Sequence, residues 1–138
     1  MKLIIQSWYW GHARVGPFSI VWFDDISPDG VEHVSSYVAR DGQVIAATCS
    51  GLRVRPTGTN VTYPPTQETF DNPPDGFRID INIPGEDDVF LNVTNTRVIT
   101  SIPNSTWRWI GSVLGGPVND NSTRWEGIAL YEALSFSL

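Results

Sequence analysis

The sequence is poor in the residues that build disulfides, metal centres and nucleic-acid-binding surfaces. Its 138 residues contain one cysteine, Cys49, so no disulfide can form within the chain. The two histidines and the single cysteine show no zinc-type spacing, and we expect no metal site. Lysine occurs only as Lys2, and the formal net charge of -6 leaves no basic patch to neutralise phosphates. Nucleic acid is therefore not an expected partner.

The chain also lacks long apolar runs. The apolar start of the chain breaks at Gln6 and Ser7, which is too early for a signal-peptide core, and no segment is long enough to span a bilayer. Asn-X-Thr sequons would suit a secreted glycoprotein, although they also arise by chance in a chain rich in Asn and Thr; they stand at Asn60, Asn92, Asn104 and Asn121. Without a leader or paired cysteines, we expect a cytoplasmic protein that does not contact a membrane.

The signatures of common catalytic and nucleotide-binding motifs are missing as well. The sequence contains no GxSxG, no HExxH, no Walker-type loop and no GxGxxG after a strand. We therefore expect a protein that works without a cofactor.

What the sequence has is a succession of short β-type runs separated by Gly, Pro, Asn and Asp clusters. The strands are predicted near residues 3–10, 17–25, 31–40, 43–54, 77–83, 88–94, 96–102, 106–114 and 124–136. Asp41-Gly42 predicts a two-residue hairpin turn, because such turns need positive φ at both central positions. The pattern predicts one all-β domain over residues 1–138, a barrel or a sandwich.

Three segments predict which strand faces are buried and where a long connection lies. Phe77, Ile79, Ile81 and Ile83 alternate with polar residues, which predicts a strand with one buried face. Residues 18–23 are apolar on both faces, so this strand must be covered on the outside too. Residues 56–76 hold five prolines and two glycines and predict a long connection over the surface, such as a lid or a rim.

Tryptophan is the most prominent functional signal, with six in the chain. Trp8 and Trp10, and likewise Trp107 and Trp109, are spaced so that both rings of each pair point to one side of a strand. Each pair forms a flat apolar wall, and these walls either pack in the core or line a cavity for a small apolar ligand. Polar candidates near the walls are His12, Arg14, Asp24, Ser35 and Tyr37. Alternatively, His12 and Arg14 stabilise a turn together with Asp24 or Asp25.

Several segments resemble the C-terminal lipocalin-like half of fungal Diels-Alderases, and together they cover essentially the whole chain. The longest is Ser7–Asp24, with the sequence SWYWGHARVGPFSIVWFD; the others are Val34–Gly42, Val54–Pro56, Gly115–Val118 and Gly127–Glu132. The resemblance is to decalin- or norbornene-forming enzymes and, more distantly, to carotenoid hydratases. It implies an antiparallel lipocalin-like β-barrel of eight or nine strands.

The resemblance further implies an intramolecular Diels-Alder cycloaddition of a polyene in fungal secondary metabolism, without a cofactor. Such a pericyclase folds its substrate in a pocket, and donation of a hydrogen bond to a carbonyl on the dienophile assists the reaction. We assign Tyr37, His12 and Arg14 as candidate donors. Substrate-binding candidates are Trp8, Trp10, Trp22, Ser35, Trp107, Trp109 and Tyr131. Two other functions remain open: a non-catalytic binder of a small apolar ligand, and a hydratase or cyclase that uses Asp24 with His12 for proton transfer.

The chain departs from this family in one respect. Its familiar members have two lipocalin-like halves with the substrate near their junction, whereas this sequence matches only the second half. Three arrangements follow: the single barrel uses its own mouth, a homodimer rebuilds a junction, or the chain is a fragment of a longer protein. The doubly apolar strand at residues 18–23 favours an association surface.

Overall fold

The fold is a single large antiparallel sheet. The computed structural model describes residues 5–59 and 61–136, apart from the side chains of residues 68 and 69, and within these ranges the chain forms nine strands and one short helix. The elements are β1 Ser7–Val15, β2 Phe18–Ile26, β3 Glu32–Arg40, β4 Gln43–Thr48, β5 Leu52–Thr57, α1 Gln67–Asp71, β6 Gly76–Ile81, β7 Val89–Ile102, β8 Thr106–Pro117 and β9 Trp125–Ser135. The all-β, antiparallel prediction is therefore confirmed.

The sheet is curled but not closed into a barrel. Its strand order is β4-β3-β2-β1-β9-β8-β7-β6-β5, so β4 and β5 are its edges. Within the described residues, no hydrogen-bonded ladder joins β5 to β3 or β4. Instead, side chains of β5 reach β2 and β3, with Arg55 in an ion pair with Glu32 at 2.8 Å. The predicted barrel closure is thus not confirmed, because β5 meets β2 and β3 through side chains and forms no ladder with the other edge strand, β4.

Two of the predicted strand boundaries are wrong. Residues 43–54 form two strands, because the chain turns after Thr48 and passes Gly51 at a φ of +71°. Residues 88–94 and 96–102 instead lie in one long strand, β7, whose register shifts near Asn95 and again near Val98. A β-bulge adds a residue to a strand without ending it, so its local pattern resembles a turn.

The first predicted strand, at residues 3–10, is also misplaced. Residues 3 and 4 lie outside the described part of the chain, and β1 continues from Ser7 to Val15. It forms a hairpin with β2 through Gly16-Pro17, where Val15 pairs with Phe18 and Gly16 has a φ of +56°. The predicted Asp41-Gly42 turn is confirmed, with both residues at positive φ between Arg40 and Gln43.

The concave, inner face of the sheet holds the core. The predicted alternation in the sixth strand region is confirmed, since Phe77, Ile79, Ile81 and Ile83 are all buried. Glycine makes room for large rings on the neighbouring strands: a Cβ at Gly11 would overlap the indole of Trp22 and the Cβ of Tyr131. The core is therefore close-packed around aromatic rings that only glycine admits at these positions.

The outer face of β2 is partly apolar, as predicted for residues 18–23. Phe18, Ile20 and Trp22 are buried in the core, while Val21 and Phe23 are half-buried on the opposite side.

In the described part of the chain, no helix is long and apolar enough to cross a membrane.

Candidate functional site

The ten residues predicted for the site lie on opposite faces of the sheet. Trp22, Trp109 and Tyr131 are each 1% exposed in the core, and the Trp107 ring stacks on Trp109 with centroids 6.0 Å apart. The other six predicted residues lie together on the outer face; they are Trp8, Trp10, His12, Arg14, Ser35 and Tyr37. The two sets cannot contact one ligand at once because the sheet itself separates them.

Within the described residues, the indoles of the core do not enclose a ligand-sized hollow. Trp107 and Trp109 line an apolar pocket at one end of the inner face, together with Tyr9 and Phe70, and its volume is only about 10 Å³. That space is about what one water molecule needs. On the solvent side, the same two indoles border an open groove of about 540 Å³ between β7, β8 and the segment around Pro74. Of the two predicted alternatives, the packed core agrees with the structure for Trp107 and Trp109, and the ligand-sized space lies beside these indoles.

The outer set follows the register of the strands. His12 pairs with Val21, which pairs with Tyr37, so His12 and Tyr37 lie on one row about two strand spacings apart, roughly 10 Å. The next row contains Trp10, Phe23 and Ser35. We call the outer surface formed by Trp8, Trp10, Val21, Phe23 and Tyr37 the outer aromatic face.

A buried carboxylate that the sequence interpretation missed supports this face. Glu132 lies beside Trp10 in the sheet and is only 8% exposed. It accepts a hydrogen bond from the Trp8 indole at 3.1 Å and two from Arg108 at 2.9 and 2.6 Å. Since a buried carboxylate needs such partners, Glu132 fixes the orientation of the Trp8 ring.

The predicted polar pairings with Asp24 and Asp25 are not formed. Asp24 points to the inner face, opposite Tyr9, whereas His12 is on the outer face. Asp25 points outward and lies 3.5 Å from a ring nitrogen of His33. The structure therefore excludes direct proton transfer between Asp24 and His12 and a shared turn network of His12, Arg14 and Asp24.

Asp24 belongs to a different polar group, in which the β5 edge meets β2 and β3. Its side chain is fully buried and accepts a hydrogen bond from the Tyr63 hydroxyl at 2.9 Å and a longer one from Arg55 at 3.4 Å. The Arg55 guanidinium is bidentate to Glu32, at 2.8 and 3.0 Å, and lies 3.6 Å above the Tyr63 ring. We call Asp24, Glu32, Arg55 and Tyr63 the Asp24 cluster.

The two carboxyl groups of this cluster have opposite proton affinities. Burial, together with hydrogen bonding to Glu32 and its negative charge, raises the pKa of Asp24 to about 7. Hydrogen bonding to Arg55 lowers the pKa of Glu32 to about 2. Burial also raises the pKa of the Tyr63 phenol, so it stays a neutral donor. At neutral pH, the cluster therefore holds one ionised carboxylate, Glu32, and one carboxyl group, Asp24, that is poised between its acid and its base form.

The Asp24 cluster adjoins the aromatic end of the inner face. Tyr9 pairs with Asp24 in the ladder, lines the small apolar pocket, and lies 6.1 Å from the Tyr63 ring, centroid to centroid. The connection between β5 and β6 covers this region: it brings in Tyr63 and inserts Phe70, whose carbonyl accepts a hydrogen bond from Trp107 at 2.8 Å. The Asp24 carboxyl group thus lies next to Tyr9, one of the aromatic residues that line the small apolar pocket. Perturbed acids next to such pockets are characteristic of functional sites.

Comparison with known proteins finds fungal relatives. No family model matches the chain. It is 33% identical over 139 residues to the quinolone epoxide rearrangement protein penF of Penicillium thymicola, covering 99% of this chain and 37% of that protein. It is 32% identical over 134 residues to the quinolone epoxide rearrangement protein asqO of Emericella nidulans, covering 96% and 35% respectively. The chain therefore spans little more than a third of the length of these relatives.

The fold has solved counterparts. Crystal structures of CghA, one alone and one with Sch210972, superpose with TM-scores of 0.71 and 0.69 at 14% identity, over 96% of this chain and 41% of CghA. The predicted resemblance to proteins of fungal secondary metabolism is confirmed. The names of the curated relatives describe rearrangement, which is chemistry of the isomerase and cyclase class.

Proposed function

We propose that this chain is a lipocalin-like catalytic unit of a cofactor-independent isomerase in the fungal cytoplasm, and that it rearranges an apolar epoxide with Asp24 as the acid. The observation that carries the proposal is the fully buried Asp24 carboxyl group, which binds the Tyr63 hydroxyl at 2.9 Å and pairs with Tyr9 at the aromatic end of the inner face. Burial and the neighbouring Glu32 raise its pKa to about 7, so that it can donate and take back a proton at neutral pH. The names of the 33% and 32% identical relatives support an epoxide as the substrate class.

The reaction needs only a proton that Asp24 donates at the start and regains at the end. Asp24 donates its proton to the epoxide oxygen, and one carbon–oxygen bond of the epoxide breaks. Positive charge then develops on the carbon atom that has lost its bond to oxygen. A neighbouring bond migrates to that carbon, and a proton from the substrate returns to the Asp24 carboxylate, so the product is an isomer of the substrate. The faces of aromatic rings attract such developing positive charge, and Tyr9, Trp107 and Trp109 line the pocket at this end of the inner face.

The substrate reaches Asp24 from the open groove beside Trp107 and Trp109. The groove, of about 540 Å³, is large enough for a small polycyclic molecule. Phe70, which binds the Trp107 indole, and Tyr63, which binds Asp24, both belong to the connection between β5 and β6 rather than to the sheet. On binding, the substrate takes the space of the Phe70 ring and replaces the Tyr63 hydroxyl as the hydrogen-bond partner of Asp24.

The pH dependence of the rearrangement tests this function. With a quinolone epoxide as substrate, the single-turnover rate should be constant at mildly acid pH. Above about pH 7 it should fall roughly tenfold per pH unit, because Asp24 loses the proton that the epoxide needs. Rates corrected for the reaction in buffer give the profile directly. A rate that is independent of pH, or that rises with pH, would contradict Asp24 as the acid, and binding without any acceleration would indicate a carrier.

A second candidate is the Diels-Alder cycloaddition of a polyene on the outer aromatic face. It is favoured by the observation that Tyr37, His12 and Arg14 share this face with Trp8 and Trp10. In this case the donors polarise a carbonyl on the dienophile, and the rings hold the bent chain. Offering a linear polyene to the same protein separates the two functions: a product ratio that differs from buffer, and that changes in Tyr37→Phe, His12→Gln or Arg14→Ala, would support cycloaddition.

A further inference from the structure

The open groove of about 540 Å³ lies where β7 extends beyond its neighbour β6. β6 pairs with β7 only as far as Gly76 opposite Thr94, whereas β7 continues to Ile102. Residues 73–75, which precede β6, line the groove together with this part of β7 and the two stacked indoles. The groove therefore has polar main-chain segments and a flat aromatic surface in its lining.

Arg97 is the charged residue that β7 contributes to the groove. The register of β7 against β8 shifts between Asn95 and Arg97, and again between Val98 and Thr100. β-Bulges of this kind redirect side chains and occur often next to active sites. Within the described residues, the Arg97 guanidinium has no hydrogen bond or ion pair. Its donors are therefore free for a ligand.

Asp75 supplies the opposite charge from the segment before β6. Its backbone is fixed, since its N–H donates to the Thr57 carbonyl at 2.9 Å and its carbonyl accepts from the Asn95 N–H at 2.9 Å. Its carboxylate packs over Gly58, where a Cβ would come within 2.7 Å of one oxygen. In the part of the chain that the structure describes, this carboxylate has no side-chain partner, and no ion pair joins it to Arg97. The groove thus offers an unpaired donor and an unpaired acceptor.

We propose that the groove binds the N–H and C=O groups of a cyclic amide: Arg97 donates to the carbonyl oxygen and Asp75 accepts from the N–H. The indoles of Trp107 and Trp109 then contact the flat ring. Asp75 would repel an anion and Arg97 a cation, whereas a neutral amide uses both charges. Hydrogen bonds to charged groups are also stronger than those between neutral groups. This inference rests on the proposed function, whose quinolone substrate carries both an N–H and a C=O group on its ring.

A ring held in this way can point its other end towards Asp24. Pro74, Trp107 and Trp109 line both the groove and the small apolar pocket, so the two spaces adjoin. Tyr9 lines the same pocket and pairs with Asp24 in the ladder. The amide contacts therefore anchor one end of the substrate while its epoxide end replaces the Phe70 ring.

Binding of 2-quinolone and of N-methyl-2-quinolone tests this anchor without requiring a rearrangement. An NMR titration that follows the indole N–H signals of the tryptophans gives the affinity and the place of binding. The signals of Trp107 and Trp109 should move, and that of Trp8 on the outer face should not. The wild type should bind 2-quinolone about tenfold more tightly, because the methyl group removes the donor that a charged acceptor needs.

Single variants identify the two partners. Asp75→Ala should bind both probes with equal affinity, and Arg97→Ala should weaken the binding of both about tenfold. Arg53→Ala and Asp87→Ala are the matched controls, since these charged residues are exposed outside the groove, and both should bind like the wild type. A wild type that does not bind 2-quinolone, or that does not distinguish it from its N-methyl derivative, would overturn the inference. Unchanged binding in both groove variants would do the same.

The Asp24→Asn variant separates this inference from the proposed function. It should bind 2-quinolone like the wild type, because the change removes the acid and leaves the anchor. Rearrangement with an unchanged KM in Arg97→Ala and Asp75→Ala would overturn the anchor and leave the function in place. Selective binding of 2-quinolone by a wild type that does not rearrange a quinolone epoxide would overturn the function and support the anchor.

Discussion

The Asp24→Asn variant should lose the epoxide rearrangement, with a kcat lowered by about 10²–10⁴-fold, the usual contribution of a general acid. Asn has the shape of Asp and its oxygen can still accept the hydrogen bond that Tyr63 donates at 2.9 Å. It has no proton of suitable acidity to give to an epoxide oxygen. The fold should therefore persist, as circular dichroism would report, while single-turnover conversion falls.

The neighbouring residue supplies a matched control. Asp25→Asn makes the same chemical change one position along β2, where the side chain points to the outer face and lies near His33. This variant should keep the rate of the wild type. Equal losses in the two variants would show that the effect is not due to the Asp24 cluster, and an active Asp24→Asn variant would remove Asp24 from the mechanism.

Trp22→Ala should lower the free energy of unfolding by about 3–5 kcal/mol, as expected when a large aromatic ring is removed from a close-packed core. Trp22 is 1% exposed, and its indole fills the space that Gly11 leaves open. Urea denaturation followed by circular dichroism measures the loss.

The control for this prediction is Trp10→Ala on the adjacent strand. Trp10 lies on the outer face, half-buried and 5.7 Å from the His12 ring, centroid to centroid. Its removal should cost no more than about 1 kcal/mol, as for most substitutions outside a core. A larger loss for Trp10 than for Trp22 would mean that the inner and outer faces of the sheet have been exchanged.

The tryptophans show how far the sequence determines the fold. Period-two spacing predicts that the two rings of each pair share a face, and this is confirmed for Trp8 with Trp10 and for Trp107 with Trp109. The spacing does not say which face is inside, and the first pair points outward while the second points inward. The choice depends on how strands far apart in sequence curl around one core, which local patterns do not contain.

In the candidate site, too, contacts between residues close in sequence could be predicted, whereas contacts between distant residues could not. The hairpin at Gly16-Pro17 pairs Val15 with Phe18, so a two-residue turn there would have placed His12 opposite Val21 and Asp24 opposite Tyr9. That signal was available in the sequence. The contacts of Asp24 with Arg55 and Tyr63 were not, because these residues follow it by 31 and 39 positions and reach it only through the curl of the sheet and the connection after β5.

The protonation of Asp24 is the measurement on which the account depends most directly. Carbon-13 NMR of carboxyl-labelled aspartate, with the resonance assigned by its loss in Asp24→Asn, follows this group alone across the pH range. We expect a titration midpoint near 7, caused by burial and by the neighbouring Glu32. A midpoint near the ordinary aspartate value of 3.8 would contradict it, because Asp24 would then be ionised at neutral pH and would have no proton to donate.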